Sequence, residues 1–134
     1  MKVASIVAIA VAVVLSIAAE ASAFTQFASP SGNIGCVMSR AGVRCDIRER
    51  DWTPPPKPAS CELDWGSGVW VGRRGRASIV CAGDTTLRAR RVLAYGDTET
   101  LGRFRCVSRR RGMRCVNDRN GHGFLLSRER VRRF

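Results

Sequence analysis

His122 is the single histidine of the chain, set between Gly121 and Gly123. With a charge change near neutral pH it is the conventional general acid or base on offer. Joined by Glu49 or Glu62 and a nearby arginine, it would compose the glutamate, arginine and histidine trio of a small secreted ribonuclease-like hydrolase. The flanking glycines suit equally a tight turn whose ring caps a strand end, and no surrounding motif supports the trio. Asp84 in Gly83-Asp84-Thr85 and Asp97 in Gly96-Asp97-Thr98 could act as paired carboxylates. Asp and Gly ahead of threonine also make ordinary turns, through side-chain bonds to the backbone, and that is the preferred reading. Other chemistries lack their signatures: there is no G-x-S-x-G, no H-E-x-x-H and no phosphate loop. Gly66-Ser67-Gly68 reads as a turn, and no acidic run resembles a calcium loop. The six cysteines, Cys36, Cys45, Cys61, Cys81, Cys106 and Cys115, contain no C-x-x-C pair, so a zinc site would lack its usual close ligands. No catalytic residue, metal or cofactor is assigned, and the chain is read as a non-enzyme.

Binding is the chemistry left. The formal net charge is +12, carried almost wholly by arginine, which grips phosphate or carboxylate through two parallel hydrogen bonds. Arg73, Arg74 and Arg76 crown one expected turn, and Arg109, Arg110 and Arg111 another. These six are the candidate anion-binding residues, and two such tips could together present a cationic surface. The partner expected is a cell-envelope polyanion or an anionic lipid surface. Nucleic acid is less favoured, because aromatic residues that would stack on bases are few and Trp70 and Phe104 read as core or strand-face residues. A G·C-rich genome would produce the same arginine bias, and net charge also keeps a secreted protein in solution. A monomer is the default.

The compartment follows from the first residues. Lys2 precedes an apolar run, Val3 to Ala19, which ends in Ala21-Ser22-Ala23, the small-residue pattern of a signal-peptide cleavage site. The run falls short of the roughly 20 apolar residues that span a bilayer. Residues 1–23 are therefore expected to be a cleavable leader, and the protein secreted or held in the cell envelope. Cleavage would remove Lys2 and Glu20 together and leave the charge unchanged. Residues 24–134, about 110 in all, fit one domain with a modest core. An even set of cysteines in an exported chain reads as a disulfide framework.

The elements that would carry these residues come from an internal repeat. Gly32, Cys36, Gly42 and Cys45 recur with identical offsets at Gly102, Cys106, Gly112 and Cys115, as G-x3-C-x5-G-x2-C. Apolar residues alternate on both sides of each turn: Ile34, Cys36 and Met38, then Val43, Cys45 and Ile47. Period two means strands, so each copy is expected to be a β-hairpin, with reversals at Ser39 to Gly42 and at Arg109 to Gly112 and positive φ easiest at the glycine. Opposed residues on antiparallel strands lie within disulfide reach. That favours Cys36 with Cys45 and Cys106 with Cys115, leaving Cys61 with Cys81, while the competing arrangement bonds one copy to the other across the core. A Pro-rich connector at residues 53–58 cannot feed a sheet ladder and should run extended, with Trp52 and Trp65 over it. Its P-x-x-P pattern could serve as a docking segment, but a rigid crossover is the commoner use. Gly68 to Gly72 and Ala77 to Cys81 flank a third reversal, Leu93 to Tyr95 and Gly123 to Leu126 are candidate strands, and Ser127 to Phe134 could form one helical turn. The fold class is mainly β, a small disulfide-stapled sandwich or barrel of about seven or eight short strands built around two related hairpins.

Several stretches carry a resemblance: Phe27 to Cys36 (FASPSGNIGC), Val43 to Ile47 (VRCDI), Pro54 to Pro58, Cys81 to Thr85 (CAGDT) and Gly121 to Phe124 (GHGF). Over nearly the whole chain after the leader they resemble a family of small secreted actinobacterial proteins, of the mycobacterial type, with six cysteines and no known function. The resemblance implies export, the disulfide set and a single domain. It implies no activity and no catalytic residues.

Overall fold

Period-two alternation of apolar residues builds every central strand of this protein. The structure is a computed structural model that describes residues 23–134 and the single positions 3, 12, 13 and 16. The expected leader, 1–23, lies almost wholly outside the described residues. Ten strands follow in order: β1 Phe24–Ala28, β2 Ile34–Ser39, β3 Gly42–Ile47, β4 Trp65–Gly72, β5 Ser78–Cys81, β6 Thr98–Leu101, β7 Phe104–Arg109, β8 Gly112–Asn117, β9 Gly123–Leu126 and β10 Val131–Arg133. Among the described residues there is no helix.

The strands form two five-stranded antiparallel sheets, each with its strands in chain order, β1-β2-β3-β4-β5 and β10-β9-β8-β7-β6. Both repeats are hairpins with the anticipated register: Cys36 opposes Cys45, Met38 opposes Val43, and Cys106 opposes Cys115. Disulfides join Cys36 to Cys45, Cys61 to Cys81 and Cys106 to Cys115. The two hairpin bridges meet face to face in the core, with Cys45 Sγ and Cys115 Sγ 3.8 Å apart. Phe27, Met38, Val43, Val69 and Val71 from one sheet close over Phe104, Met113, Phe124 and Leu126 from the other. The result is a sandwich in which the four hairpin cysteines are fully buried.

Polar ties fasten the layers around this core. Asn117, fully buried, donates from Nδ2 to Gly72 O at 3.1 Å. At one edge Glu99 of β6 accepts from Thr25 of β1 and pairs with Arg91 at 2.9 Å. Trp65 donates to Pro55 O at 2.7 Å and so covers the extended connector, and Trp52 donates to Ser127 O at 2.9 Å and ties the connector's start to the other sheet.

Four expectations are corrected. The strands number ten rather than seven or eight, because β1, β6 and β10 are edge strands with little apolar alternation to announce them. Leu93 to Tyr95 is not a strand: the chain crosses between sheets there, held by Leu93 N to Ala28 O and Ala28 N to Arg91 O, and only Leu93 is buried. Ser127 to Phe134 is not helical, since Phe134 and Gly123 exchange both backbone bonds, at 2.9 and 3.0 Å, and extend the sheet. Gly42 does not take a positive φ, unlike Gly112 at +132°. What demands glycine at 42 is space, because the Trp70 indole lies where a Cβ would stand.

Candidate functional site

His122 sits in the turn between β8 and β9, half-buried, with its N–H donating to Asn120 Oδ1 and its carbonyl accepting from Asn117 N. Glu49 pairs with Arg128 at 3.2 Å, and Glu62 is exposed in the connector region. Among the described residues, His122 is absent from the walls of the clefts at the two ends of the sandwich and of the cleft beside Arg44. Asp84 and Asp97 are also kept apart. Asp97 closes a turn by Asp97 N to Ala94 O beside β7, while Asp84 lies over the outer face of the other sheet.

Asp84 belongs to a clamp that sequence reading missed. The outward residues of β3, Arg44 and Asp46, should face solvent, yet Asp46 is only 2 % exposed. Arg44 grips it with Nε and Nη2 at 2.9 and 2.8 Å. Thr86 N donates to the same carboxylate at 3.0 Å, and Thr86 Oγ1 donates on to Gly35 O at 2.6 Å. The guanidinium then reaches Asp84 Oδ1 at 2.8 Å. Against the desolvation that opposes it, the hydrogen bonds to Asp46 and Asp84 hold the Arg44 pKa above the ordinary arginine value. The cleft beside this clamp, about 600 Å³, also includes Asp64 and Arg88. Arg44, Asp46 and Asp84 are paired with one another, and through Asp84 and Thr86 they fasten the segment after β5 to β3.

The Arg44 hydrogen bond, then its charge, hold the exposed Asp84 carboxyl below the usual carboxylate value of 3.8. A carboxyl with a depressed folded pKa contributes stability above its unfolded value and loses it as pH falls through the folded one. Asp84→Asn should therefore lower the thermal midpoint at neutral pH, with the difference shrinking as pH falls below 3.8 and closing once it has passed below the depressed folded value. Thermal unfolding of both proteins across that range is the check, and a gap that stays constant with pH would show that the charge is not the cause.

A different arrangement occupies the end of the sandwich where the β2–β3, β4–β5, β6–β7 and β8–β9 turns gather. Arg40, Arg73, Arg103 and Arg119, one from each turn, line a cleft of about 280 Å³. Arg73 and Arg103 are shared with an adjoining cleft of about 680 Å³ that also has Arg74 and Trp70 in its wall. Among the described residues neither cleft is lined by a carboxylate. Desolvation first, and then the charges of Arg119 and Arg73, push the Arg103 guanidinium down from the ordinary arginine range. Trp70 lies flat against Gly42 and Gly72, 36 % exposed. Like charges converge here around an aromatic face, and among the described residues none of these arginines has an ion-pair partner.

A family model matches residues 5–134. The chain belongs to DUF6636, a family of unknown function. No curated protein and no solved structure matches it.

The six arginines expected to bind anions are divided in this member of the family. Arg73 and Arg74 join the convergent end, while Arg76 is spent on Arg133 O, to which its Nη2 donates at 2.9 Å. The β7–β8 tip lies at the opposite end: Arg109 and Arg110 line a separate cleft there, and Arg111 is exposed outside it. The repeats are thus packed in opposite directions, which no reading of spacing could reveal. Arg40, Arg103 and Arg119 stand alone in their turns, so no charge run pointed to them.

Proposed function

We propose that this protein is an exported, non-catalytic binding module that holds an acidic polymer of the cell envelope against its Arg40, Arg73, Arg103 and Arg119 end. The observation that carries the reading is the convergence of four guanidinium groups from four separate turns without a carboxylate among the residues lining their cleft. Gathering like charges is unfavourable on its own, and a bound anion would remove the repulsion that presses on Arg103. Guanidinium forks grip phosphate, sulfate or carboxylate bidentately, and the open face of Trp70 gives a repeating sugar unit an aromatic surface to rest on. Three disulfides are consistent with life in an oxidising compartment.

Net charge alone would retain any protein of this composition on a polyanion, so the test must separate position from charge. Arg103→Glu with Arg119→Glu is expected to weaken binding to heparin and to inorganic polyphosphate about tenfold at physiological salt, with a shallower salt dependence. Arg88→Glu with Arg90→Glu changes net charge equally on another face and should lose far less. Equal losses in the two variants would mean diffuse attraction and would sink the proposal.

A further inference from the structure

At the opposite end of the sandwich the β1–β2 turn, the start of the connector, the β7–β8 tip and the β9–β10 turn enclose a cleft of about 380 Å³. That is near the lower limit of small-molecule pockets, about 300–1,000 Å³. Ser108 lies in its wall, on the inner face of β7 and 1 % exposed. Its backbone is satisfied, donating to Asp97 O and accepting from Gly96 N. Its Oγ is the buried side-chain polar atom that, among the described residues, has no hydrogen-bond partner. The neighbouring hydroxyls are in use: Ser29 accepts from Ile34 N, Ser31 from Asn33 N, and Ser127 donates to Arg130 O.

A buried hydroxyl without a partner is costly, and native structures seldom keep one without a reason. Around it the cleft is graded. Ile34 and Met113 give the floor an apolar surface, and Arg48, Arg109 and Arg110 supply positive charge. None of these three arginines has an ion-pair partner among the described residues. Two carboxylates are also in the wall: Glu49 is occupied by Arg128, and Glu129 has no ion-pair partner among the described residues, so the three unpaired arginines face one unpaired carboxylate. Tyr95, 42 % exposed, stands beside them with the Arg110 guanidinium 5.0 Å from its ring centre.

From this gradient we infer that the cleft binds a small hydroxylated acid of monosaccharide size, with a hydroxyl on Ser108 Oγ, the anionic group on Arg109 and Arg110, and the carbon frame against Met113 and Tyr95. A neutral hydroxyl partner suits the buried end, and a carboxylate or phosphate suits the arginine end. The site is separate from the polymer-binding end and does not depend on it.

Nuclear magnetic resonance titration with glucuronate and glucose 6-phosphate, and glucose as the uncharged counterpart, tests the assignment. Saturable shifts are expected at Ser108, Tyr95 and Met113 with at least one acid, with affinity for glucose at least about tenfold weaker. Ser108→Ala removes an unpartnered group, so it should fold at least as well as the parent while losing about fivefold in affinity. Arg109→Ala with Arg110→Ala should lose about tenfold or more, and Arg103→Glu with Arg119→Glu nothing. A response to glucuronate alone or to the phosphate alone names the anion. No saturable shift up to about 10 mM of either acid, or a Ser108→Ala protein that binds as tightly as its parent, overturns the inference.

Discussion

Replacing Asp46 with alanine should cost about 3–5 kcal/mol, the scale seen when one partner of a buried ion pair is removed. The carboxylate accepts two hydrogen bonds from Arg44 and one from Thr86 N, and none of these donors has another charge of equal quality to turn to. Asp84 is exposed and reaches only Nη1 and, through its carbonyl, Nη2. Gly68 on β4 lies so close to Asp46 that a Cβ there would collide with the carboxylate, so the substitution also opens a void between strands. The loss should be felt first at Thr86 and along the segment leading to Leu93, because Thr86 links that segment to Asp46 and to Gly35 O. Urea unfolding gives the magnitude and amide exchange at Thr86 the location. A cost under about 1 kcal/mol would place the clamp with ordinary exposed ion pairs.

The three disulfides should not contribute equally, and their order is predictable. Chain entropy alone ranks Cys61–Cys81 highest, because it closes a separation of 20 residues against 9 for each hairpin bridge, an advantage of about 0.7 kcal/mol. Packing argues the other way. Cys36, Cys45, Cys106 and Cys115 are all fully buried, whereas Cys81 is exposed. Changing a hairpin pair to alanine deletes two sulfur atoms at the centre of the core, where the bridges touch at 3.8 Å. The cavity left there adds about 1–2 kcal/mol, which exceeds the entropic difference. Each hairpin pair is therefore expected to cost about 3–5 kcal/mol, and Cys61 with Cys81 about 3 kcal/mol. Removing both hairpin pairs should depart from the sum of the single losses, since the bridges share neighbours. Denaturant midpoints of the paired cysteine-to-alanine variants measure this. If the Cys61 and Cys81 variant proves the least stable, loop closure and not core packing governs.

Much of the sheet structure is legible along the chain because a strand writes its burial into adjacent residues. Ile34, Cys36 and Met38 alternate against Val43, Cys45 and Ile47, and that pattern allows one register in which both cysteines face inward. The β4–β5 reversal and β9 are readable for the same reason. β6, with the sequence TETL, and β10, with VRR, have no such pattern, since they are recruited by neighbours already in place and bury little of their own. Asp46 was hidden by a related effect: outward positions of an antiparallel strand are normally wet, and its cover, Thr86, is distant in the chain.

For this protein, local order alone determined the hairpins, their turns and the cysteine faces, because alternation and turn chemistry act between residues a few positions apart. The packing of one sheet on the other decided what gathers at each end. It set the repeats in opposite directions, brought Arg40, Arg73, Arg103 and Arg119 together from four turns, and left Ser108 Oγ in a cleft without a partner. Such neighbours depend on how two surfaces meet in space, a relation that residue spacing does not encode.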